Sequence, residues 1–221
     1  MSETKIHPTA IVDPQAQLGE GVEIGPHAII EAGVTVGDRC KIGPMVHIQG
    51  TTIMGPENVV YTGATLGFPP QFIGFDGSPT RLVIGARNTF REYVSVHRGL
   101  NDKSETTIGD DCFFMGSAHI AHDCHVGNNV ILANGALLAG HVTVGDRCFI
   151  SGNSAVHQFC RIGRLVMVGG LSAVNQDVPP FMMVAGDRND IRGLNTVGLR
   201  RAGVSSVARL EIKRLLREIY H

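Results

Sequence analysis

Three of the ten histidines fall within seven residues, at His119, His122 and His125. Asp123 follows His122 directly, so a carboxylate stands beside an imidazole. An imidazole that is neutral near pH 7 can take a proton from a hydroxyl group, and an adjacent carboxylate can orient its ring. We therefore predict that His122 is a general base and that Asp123 orients it.

The segment around these histidines belongs to a repeat of six residues. Stepping by six from Val12, the chain has an aliphatic or aromatic residue at nearly every position up to Val174. This period is neither helical nor a simple strand alternation, and it is typical of a solenoid of short strands joined by tight corners. Glycine follows the repeated residue at sites separated by multiples of 18, namely 19, 37, 55, 109, 127, 145 and 163. We therefore expect three hexads per coil, with corners that favour residues tolerant of positive φ.

The composition limits the compartment and the partners. The net charge is −1 with both signs interspersed, which argues against nucleic-acid binding, and no run of 18 apolar residues could span a membrane. The N-terminus is polar, so we expect no signal peptide. The five cysteines lack CxxC spacing and fall two residues before the repeated apolar position. We expect them to be small buried packing residues of a cytoplasmic protein rather than a disulfide framework or a zinc cage.

Two insertions interrupt the surface of the predicted solenoid, at about residues 68–80 and 98–106. Loops that project from a rigid scaffold often contain binding residues. The repeat then stops, so we predict a solenoid over residues 1–176 and a helical segment over residues 177–221. Within that segment Ser205 is a predicted N-cap of an amphipathic helix. The apolar side of this helix contains Val207, Leu210, Leu215 and Ile219.

The repeat also predicts where the other histidines lie. His119 points outward from its strand, and His122 lies towards a corner. Gly140 follows His122 by 18 residues, which is one coil, and His141 is the neighbour of that glycine. His157 lies on the next coil. Because coils are about 4.8 Å apart, these residues converge on one surface strip that extends over roughly 10 Å.

Two other interpretations of this strip stay open. The histidines could be scattered surface residues, which are common singly, although convergence over three successive coils disfavours this. They could also bind a metal ion, because histidine is a common ligand. No carboxylate or thiolate completes an obvious ligand shell, so we expect neither a metal ion nor a cofactor.

Longer motifs make the chain resemble a known family. They are HRG at 97–99, HIAHDC at 119–124, ILAN at 131–134, LAGHV at 138–142, HQFC at 157–160, VMVGG at 166–170, QDVPP at 176–180 and GLRR at 198–201. They resemble the hexapeptide-repeat acyltransferases, and among these the UDP-N-acetylglucosamine O-acyltransferases that begin lipid A synthesis. The resemblance implies an all-β solenoid, a left-handed parallel β-helix, with a short α-helical C-terminal segment.

The resemblance also implies an assembly and a reaction. It implies a homotrimer with active sites in the clefts between subunits. The implied reaction moves a 3-hydroxyacyl group from acyl carrier protein to the glucosamine 3-position of a UDP-sugar.

Roles for individual residues follow from the matched motifs. His122 would deprotonate the acceptor hydroxyl, Asp123 would hold its tautomer, and the Gly140 N–H would donate to the oxyanion of the tetrahedral intermediate. The remaining residues would bind substrate. His119, His141 and His157 would position acceptor and donor, and Gln71 and His97 would complete the acceptor site. Gly170 would leave room for the acyl chain, and Asn195 and Arg201 would contact the nucleotide.

The chain departs from the family pattern in the acceptor site. The family loop has an aspartate and a lysine where this chain has Phe72 and Gly74, although Gln71 is retained. Val197 replaces a glutamate, and Ala202 replaces a second arginine. The family also continues through further helices beyond the position of residue 221. A paralogue that acylates a different sugar nucleotide, a related enzyme with an acetyl or amino-sugar donor system, and a catalytically silent binding trimer therefore stay open as alternatives.

Overall fold

The computed structural model describes residues 3–186 and 190–220, in which short strands wind into one continuous solenoid. The strands are β1 (Lys5–Ile6), β2 (Ile11–Val12), β3 (Gln17–Leu18), β4 (Glu23–Ile24), β5 (Ile29–Ile30), β6 (Thr35–Val36), β7 (Lys41–Ile42), β8 (His47–Ile48), β9 (Thr51–Met54), β10 (Val59–Val60), β11 (Thr65–Phe68), β12 (Arg81–Ile84), β13 (Thr89–Phe90), β14 (Ser95–His97), β15 (Glu105–Ile108), β16 (Phe113–Phe114), β17 (His119–Ile120), β18 (His125–Val126), β19 (Ile131–Leu132), β20 (Leu137–Leu138), β21 (Thr143–Val144), β22 (Phe149–Ile150), β23 (Ala155–Val156), β24 (Arg161–Ile162), β25 (Met167–Val168), β26 (Ala173–Val174), β27 (Met182–Ala185) and β28 (Asp190–Leu194).

The strands form three sheets, one on each face of the solenoid, in which all neighbouring strands are parallel except β27 and β28. Sheet A runs β1-β4-β7-β10-β13-β16-β19-β22-β25-β27-β28, sheet B runs β2-β5-β8-β11-β14-β17-β20-β23-β26, and sheet C runs β3-β6-β9-β12-β15-β18-β21-β24. From β1 to β26, strands three places apart pair with each other, so that His119 pairs with Leu137 and Leu137 with Ala155. Three hexads therefore make one coil, as the sequence predicts.

The core is a stack of the repeated apolar residues. The second residue of each two-residue strand points inward, and Phe114, Ile120, Leu132 and Leu138 are fully buried. Burying such side chains removes apolar surface from water, which is the main favourable contribution to folding. The five cysteines are free and buried beside this stack, as predicted.

The corners differ in one detail from the sequence prediction. Positive φ falls on the residue after the predicted pair, for example on Arg39 (φ 55) rather than on Gly37 or Asp38. The glycine is required for another reason, because a Cβ at Gly37 would lie only 2.6 Å from the backbone carbon of Gly55 on the next coil. Glycine there allows neighbouring coils to approach closely, and the residue two positions later, here Arg39, adopts the positive φ of the turn.

The two insertions leave the solenoid from neighbouring coils. The first spans residues 69–80, between β11 and β12, and exposes Phe72 and Ile73 to solvent. The second spans residues 98–104, which is shorter than predicted because residues 105 and 106 lie in β15. Arg81 of β12 pairs with Glu105 of β15, so sheet C continues through both neighbouring coils directly after their insertions.

The C-terminal segment packs over the last coils. β27 extends sheet A in parallel with β25, and β28 returns antiparallel to β27, so the sheet continues beyond residue 176. The domain boundary at that residue stays a prediction. Two helices follow, α1 (Thr196–Arg201) and α2 (Ser206–Tyr220). No helix in the described ranges is long and apolar enough to cross a membrane.

Helix α2 begins as the sequence predicts. The Ser205 hydroxyl accepts a hydrogen bond from the Ala208 N–H at 3.2 Å and caps its first turn. The predicted apolar residues Val207, Leu210 and Leu215 face solvent in this chain, whereas Leu216 packs partly against the core. The side chain of Ile219, which we predicted on the same face, lies outside the described residues.

Candidate active site

A cavity of about 510 Å³ lies on the outer face of sheet B. It contains six of the residues predicted from the sequence, namely Gln71, His97, His119, His122, Gly140 and His157. Its floor is formed by the outward-facing first residues of stacked strands, including Leu137 and Ala155. The first insertion closes one side through Gln71. The cavity thus combines a rigid apolar floor with convergent polar groups, which is typical of a binding site.

His122 and Asp123 form a hydrogen-bonded pair at the corner after β17. The distance from His122 Nδ1 to Asp123 Oδ2 is 2.8 Å, and both side chains are mostly buried. A carboxylate accepts hydrogen bonds, so the neutral His122 ring donates its Nδ1–H and keeps Nε2 free to accept a proton. The same carboxylate oxygen accepts the Leu100 N–H at 3.1 Å. The second insertion therefore holds the carboxylate in place.

Gly140 lies directly against the His122 ring. A Cβ at this position would be 2.5 Å from His122 Cε1, so only glycine allows the peptide to approach the imidazole this closely. The His141 N–H donates to His122 O at 3.0 Å, which fixes the two coils relative to each other. The Gly140 N–H forms no backbone hydrogen bond within residues 3–186 and 190–220. It is thus available beside the imidazole as a donor to a developing negative charge.

Burial keeps two further histidines neutral. His97 Nδ1 lies 2.5 Å from the Pro69 carbonyl oxygen, which can only accept, so Nδ1 carries the hydrogen and Nε2 is an acceptor. Burial lowers the pKa of His97. Burial, together with the nearby His97, lowers the pKa of His119 to about 4. His119 Nδ1 is hydrogen-bonded to the Ser95 hydroxyl at 2.8 Å, and the two histidine rings lie 5.2 Å apart.

His141 is near the pair but outside the cavity lining. Its Nε2 lies 3.8 Å from Asp123 Oδ2, and its ring stacks on Phe159 with centroids 4.7 Å apart. The expectation that no carboxylate joins these histidines in a ligand shell needs correction, because one potential ligand atom from each of His122, Asp123 and His141 lies within 4.8 Å of the other two. Asp123 was assigned to His122 alone, and positive φ at Asp123 turns its side chain towards both rings. This oxygen already accepts hydrogen bonds from His122 and Leu100.

The remaining predicted residues lie elsewhere in the chain. Asn195 and Arg201 line a second cavity of about 580 Å³ beside sheet A. The Asn195 side chain is buried, donating to Leu165 O at 2.9 Å and accepting the Gly198 N–H that caps α1. Gly170 lies at the exposed corner before β26 and does not line the histidine cavity. Within one chain, Asn195, Arg201 and Gly170 therefore do not line the cavity that contains His122.

The first insertion presents an apolar surface where the family pattern has charges. Phe72 is 53% exposed, and the ring of Phe72 would clash with a Cβ at Gly74. Arg98 holds the base of this insertion, with its Nη1 donating to Gly67 O at 3.0 Å and its guanidinium over the Phe75 ring. The backbone thus positions Gln71 without help from charged side chains at positions 72 and 74.

Three neighbours of the site were missed from the sequence: Ser95, Leu100 and Phe159. Leu100 acts through its backbone N–H, which no side-chain pattern reveals. Ser95 is the outward residue one coil before His119, and Phe159 follows His141 by one coil, so their spacing gave a usable signal.

The fold and the histidine cavity together define a class. The coils repeat every three hexads, and the bacterial transferase hexapeptide model matches residues 3–38 and 105–140. The model of domain 2 of UDP-N-acetylglucosamine O-acyltransferase matches residues 177–221.

Whole-chain comparisons narrow the class to one family. The chain is 53% identical over 218 residues to the acyl-[acyl-carrier-protein]–UDP-N-acetylglucosamine O-acyltransferase of Halorhodospira halophila, covering 98% of this chain and 84% of that protein. It is 47% identical to the enzyme of that name from Thermodesulfovibrio yellowstonii, covering 91% of this chain and 78% of that protein. The chain belongs to the UDP-N-acetylglucosamine O-acyltransferase family.

Solved structures agree with this assignment. The UDP-N-acetylglucosamine acyltransferase of Francisella novicida superposes with a TM-score of 0.95 at 32% identity, over 98% of this chain and 80% of that chain. The Campylobacter jejuni enzyme superposes with a TM-score of 0.92 at 38% identity, over 98% of this chain and 84% of that chain. The predicted left-handed parallel β-helix is thereby confirmed.

The depressed pKa of His119 gives a testable pH dependence. We expect the His119 ring to titrate with a midpoint of about 4 in two-dimensional NMR of histidine-labelled protein, because burial disfavours the imidazolium. The unfolded chain protonates this ring near 6.5. The unfolded state thus binds more protons between these values, so the free energy of unfolding should fall as pH is lowered through that window.

The matched control is His119→Gln, which removes the titrating group and keeps a polar side chain. This variant should show a shallower loss of stability between about pH 6.5 and about pH 4. An unchanged slope, or a His119 midpoint at the ordinary value, would contradict the burial argument.

Proposed function

We propose that this protein transfers a 3-hydroxyacyl group from acyl carrier protein to the glucosamine 3-hydroxyl of UDP-N-acetylglucosamine, the first step of lipid A synthesis. The observation that supports the reaction type is the His122–Asp123 pair with the Gly140 N–H beside it on one wall of the cavity. A base and an oxyanion donor side by side are the requirements of acyl transfer to a hydroxyl group. The substrates are those in the names of the relatives at 47% and 53% identity.

The proposed chemistry begins with proton transfer to His122 Nε2. As the acceptor hydroxyl loses its proton, its oxygen forms a bond to the thioester carbonyl carbon and the carbonyl oxygen becomes an oxyanion. The Gly140 N–H donates to that oxyanion, while Asp123 stabilises the imidazolium that has formed. Collapse of the intermediate breaks the C–S bond, and the imidazolium returns its proton to the thiolate of the carrier. The products are the ester and the free carrier thiol.

The neutral histidines fit acceptor binding. His97 Nε2 is an acceptor, so it suits a hydroxyl or amide N–H of the sugar. His119, Gln71 and His157 line the same cavity. Uncharged groups in a buried site avoid the desolvation cost of burying an ion, and they still fix the orientation of the sugar.

We further propose that three copies assemble and that each active site lies between two of them. The outer face of sheet A bears an apolar row, Phe113, Ile131, Phe149 and Met167, that suits packing against another copy. The Asn195 and Arg201 cavity opens on this face. If sheet A of one copy meets sheet B of the next, that cavity faces the histidines. Arg201 then suits the phosphates of the nucleotide.

The site of the reaction is proposed to be the cytoplasm. Five free buried cysteines fit a reducing compartment.

The altered insertion supports one alternative, a different sugar nucleotide as acceptor. Phe72 and Gly74 provide no charge where the family pattern has an aspartate and a lysine. A panel of UDP-sugars offered with acyl carrier protein donors, with products identified by mass spectrometry, distinguishes the two acceptors.

His122→Ala should lower turnover by about 10²–10⁴-fold, because general-base catalysis commonly contributes that much. Folding should survive, since the ring lies outside the apolar stack. Steady-state assays of the purified trimer measure the effect, and circular dichroism controls for folding. Near-normal turnover would show that His122 is not the base.

Phe72→Asp combined with Gly74→Lys should tighten binding of UDP-N-acetylglucosamine. A hydrogen bond to a charged group commonly contributes about 1.5–3 kcal/mol. Isothermal titration calorimetry measures the change, with Ile73→Ala as a control at a fully exposed position of the same insertion. Unchanged affinity would mean that this insertion does not hold the acceptor.

Gly170→Met should shift the donor preference towards shorter acyl chains. A Cβ at Gly170 meets only Gly152 O, at 3.6 Å, so the backbone tolerates a side chain that then fills the space beside it. Excluding three or four methylenes costs roughly 2–3 kcal/mol. Competition between long- and short-chain acyl carrier proteins measures the product ratio. An unchanged ratio in a folded trimer would leave Gly170 only a packing role.

A further inference from the structure

Phe159 is an exposed aromatic residue that holds the Gly140–His141 peptide segment at two points. The residue is 64% exposed, and its ring lies nearly parallel to the His141 ring, with an interplanar angle of 9°. Its backbone N–H donates to Gly140 O at 3.1 Å. One residue thus restrains both the side chain of His141 and the carbonyl that precedes it.

His141 connects this aromatic ring to the His122–Asp123 pair. Its Nε2 lies 3.8 Å from Asp123 Oδ2, the oxygen that accepts the His122 Nδ1–H. Its ring also stands edge-on to the His122 ring, with centroids 5.1 Å apart and an angle of 88°. A rotation of the His141 ring would therefore alter both the surroundings of the carboxylate and the packing of the base.

The side chains of Asp123, His141 and Phe159 form a column because the same corner recurs on three successive coils. Asp123, His141 and Phe159 occupy equivalent corner positions with φ of 56°, 61° and 67°. Their side chains leave the backbone in the same direction and stack along the solenoid axis. Other corners of the solenoid place different bulky residues at positive φ, for example Tyr93 and Leu165, so the turn itself does not require phenylalanine. What distinguishes Phe159 is the stacking of its ring on His141.

We infer that Phe159 and His141 are positioning residues for the reaction: Phe159 fixes the His141 ring, which in turn fixes the Asp123 carboxylate and so the orientation of the His122 imidazole. Phe159 lies outside the lining of the histidine cavity, in agreement with a role that does not involve contact with the substrates. The inference rests on the proposed role of His122 as the general base.

The first test compares Phe159→Ala with two matched variants. An aromatic pair contributes an amount equivalent to about a 2- to 10-fold change, so Phe159→Ala should lower kcat within that range and leave both KM values nearly unchanged. Phe159→Tyr keeps the flat ring and should restore kcat. Phe159→Leu keeps apolar bulk without the flat ring and should behave like Phe159→Ala. A raised KM with unchanged kcat would overturn the inference, because it would mean direct contact with a substrate.

The second test is a double-mutant cycle with His141→Ala. If Phe159 acts through His141, the double variant should have the kcat of His141→Ala alone. Losses that multiply would show that Phe159 acts by another route and would overturn the inference.

A third measurement needs no substrate. The proton NMR resonance of the His122 Nδ1–H reports the hydrogen bond to Asp123, and it should shift or broaden in Phe159→Ala and remain as in the parent in Phe159→Tyr. An unchanged resonance in Phe159→Ala would contradict the positioning role. Failure of the proposed function would look different, as absent turnover in the parent protein or retained turnover in His122→Ala.

Discussion

Backbone hydrogen bonds between successive coils set the height of every side chain in this protein. The His119 N–H donates to Ala136 O at 2.9 Å, and the His141 N–H donates to His122 O at 3.0 Å. Because each coil repeats this pairing, residues at equivalent positions lie directly above one another. The close approach of coils also explains the recurring glycines, since a Cβ at Gly37 would meet the backbone of Gly55. The active-site column is therefore a consequence of the same stacking that closes the core.

The His122–Asp123 pair lies at a corner, whereas His119 is an outward-facing strand residue and His97 ends β14. Every second strand residue points into an apolar stack, where an unpaired polar group would be costly. A corner residue at positive φ can instead project along the outside of the solenoid. Asp123 does so, and its side chain accepts hydrogen bonds from His122 and from the Leu100 N–H. A corner thus provides a fixed polar group without disturbing the core.

Burial keeps the imidazole rings of His97 and His119 neutral in the cavity. Desolvation lowers the pKa of both His97 and His119, and the Pro69 carbonyl decides which nitrogen of His97 carries the hydrogen. The first insertion, which contributes that carbonyl, is therefore part of the electrostatics of the site as well as of its wall. The coils fix the position of each side chain along the solenoid axis, and the insertions provide hydrogen-bond partners for these side chains.

The sequence alone determined the repeat and much of the site. Its six-residue period fixed which side chains point inward, and the spacing of 18 between His122 and Gly140 placed them on adjacent coils. These inferences succeeded because regular backbone pairing converts spacing in the sequence directly into distance.

Only the tertiary structure decided the contacts that have no period. The insertions supply Pro69 O and the Leu100 N–H, and no spacing rule predicts a backbone partner from a loop. The structure also shows that His141 lies outside the cavity lining, because positive φ turns its ring towards Asp123 and Phe159. The C-terminal segment, which lacks the repeat, placed Asn195 and Arg201 beside sheet A. Side-chain direction at corners and in irregular segments depends on local φ and on packing against residues distant in the sequence, and neither can be predicted from the repeat.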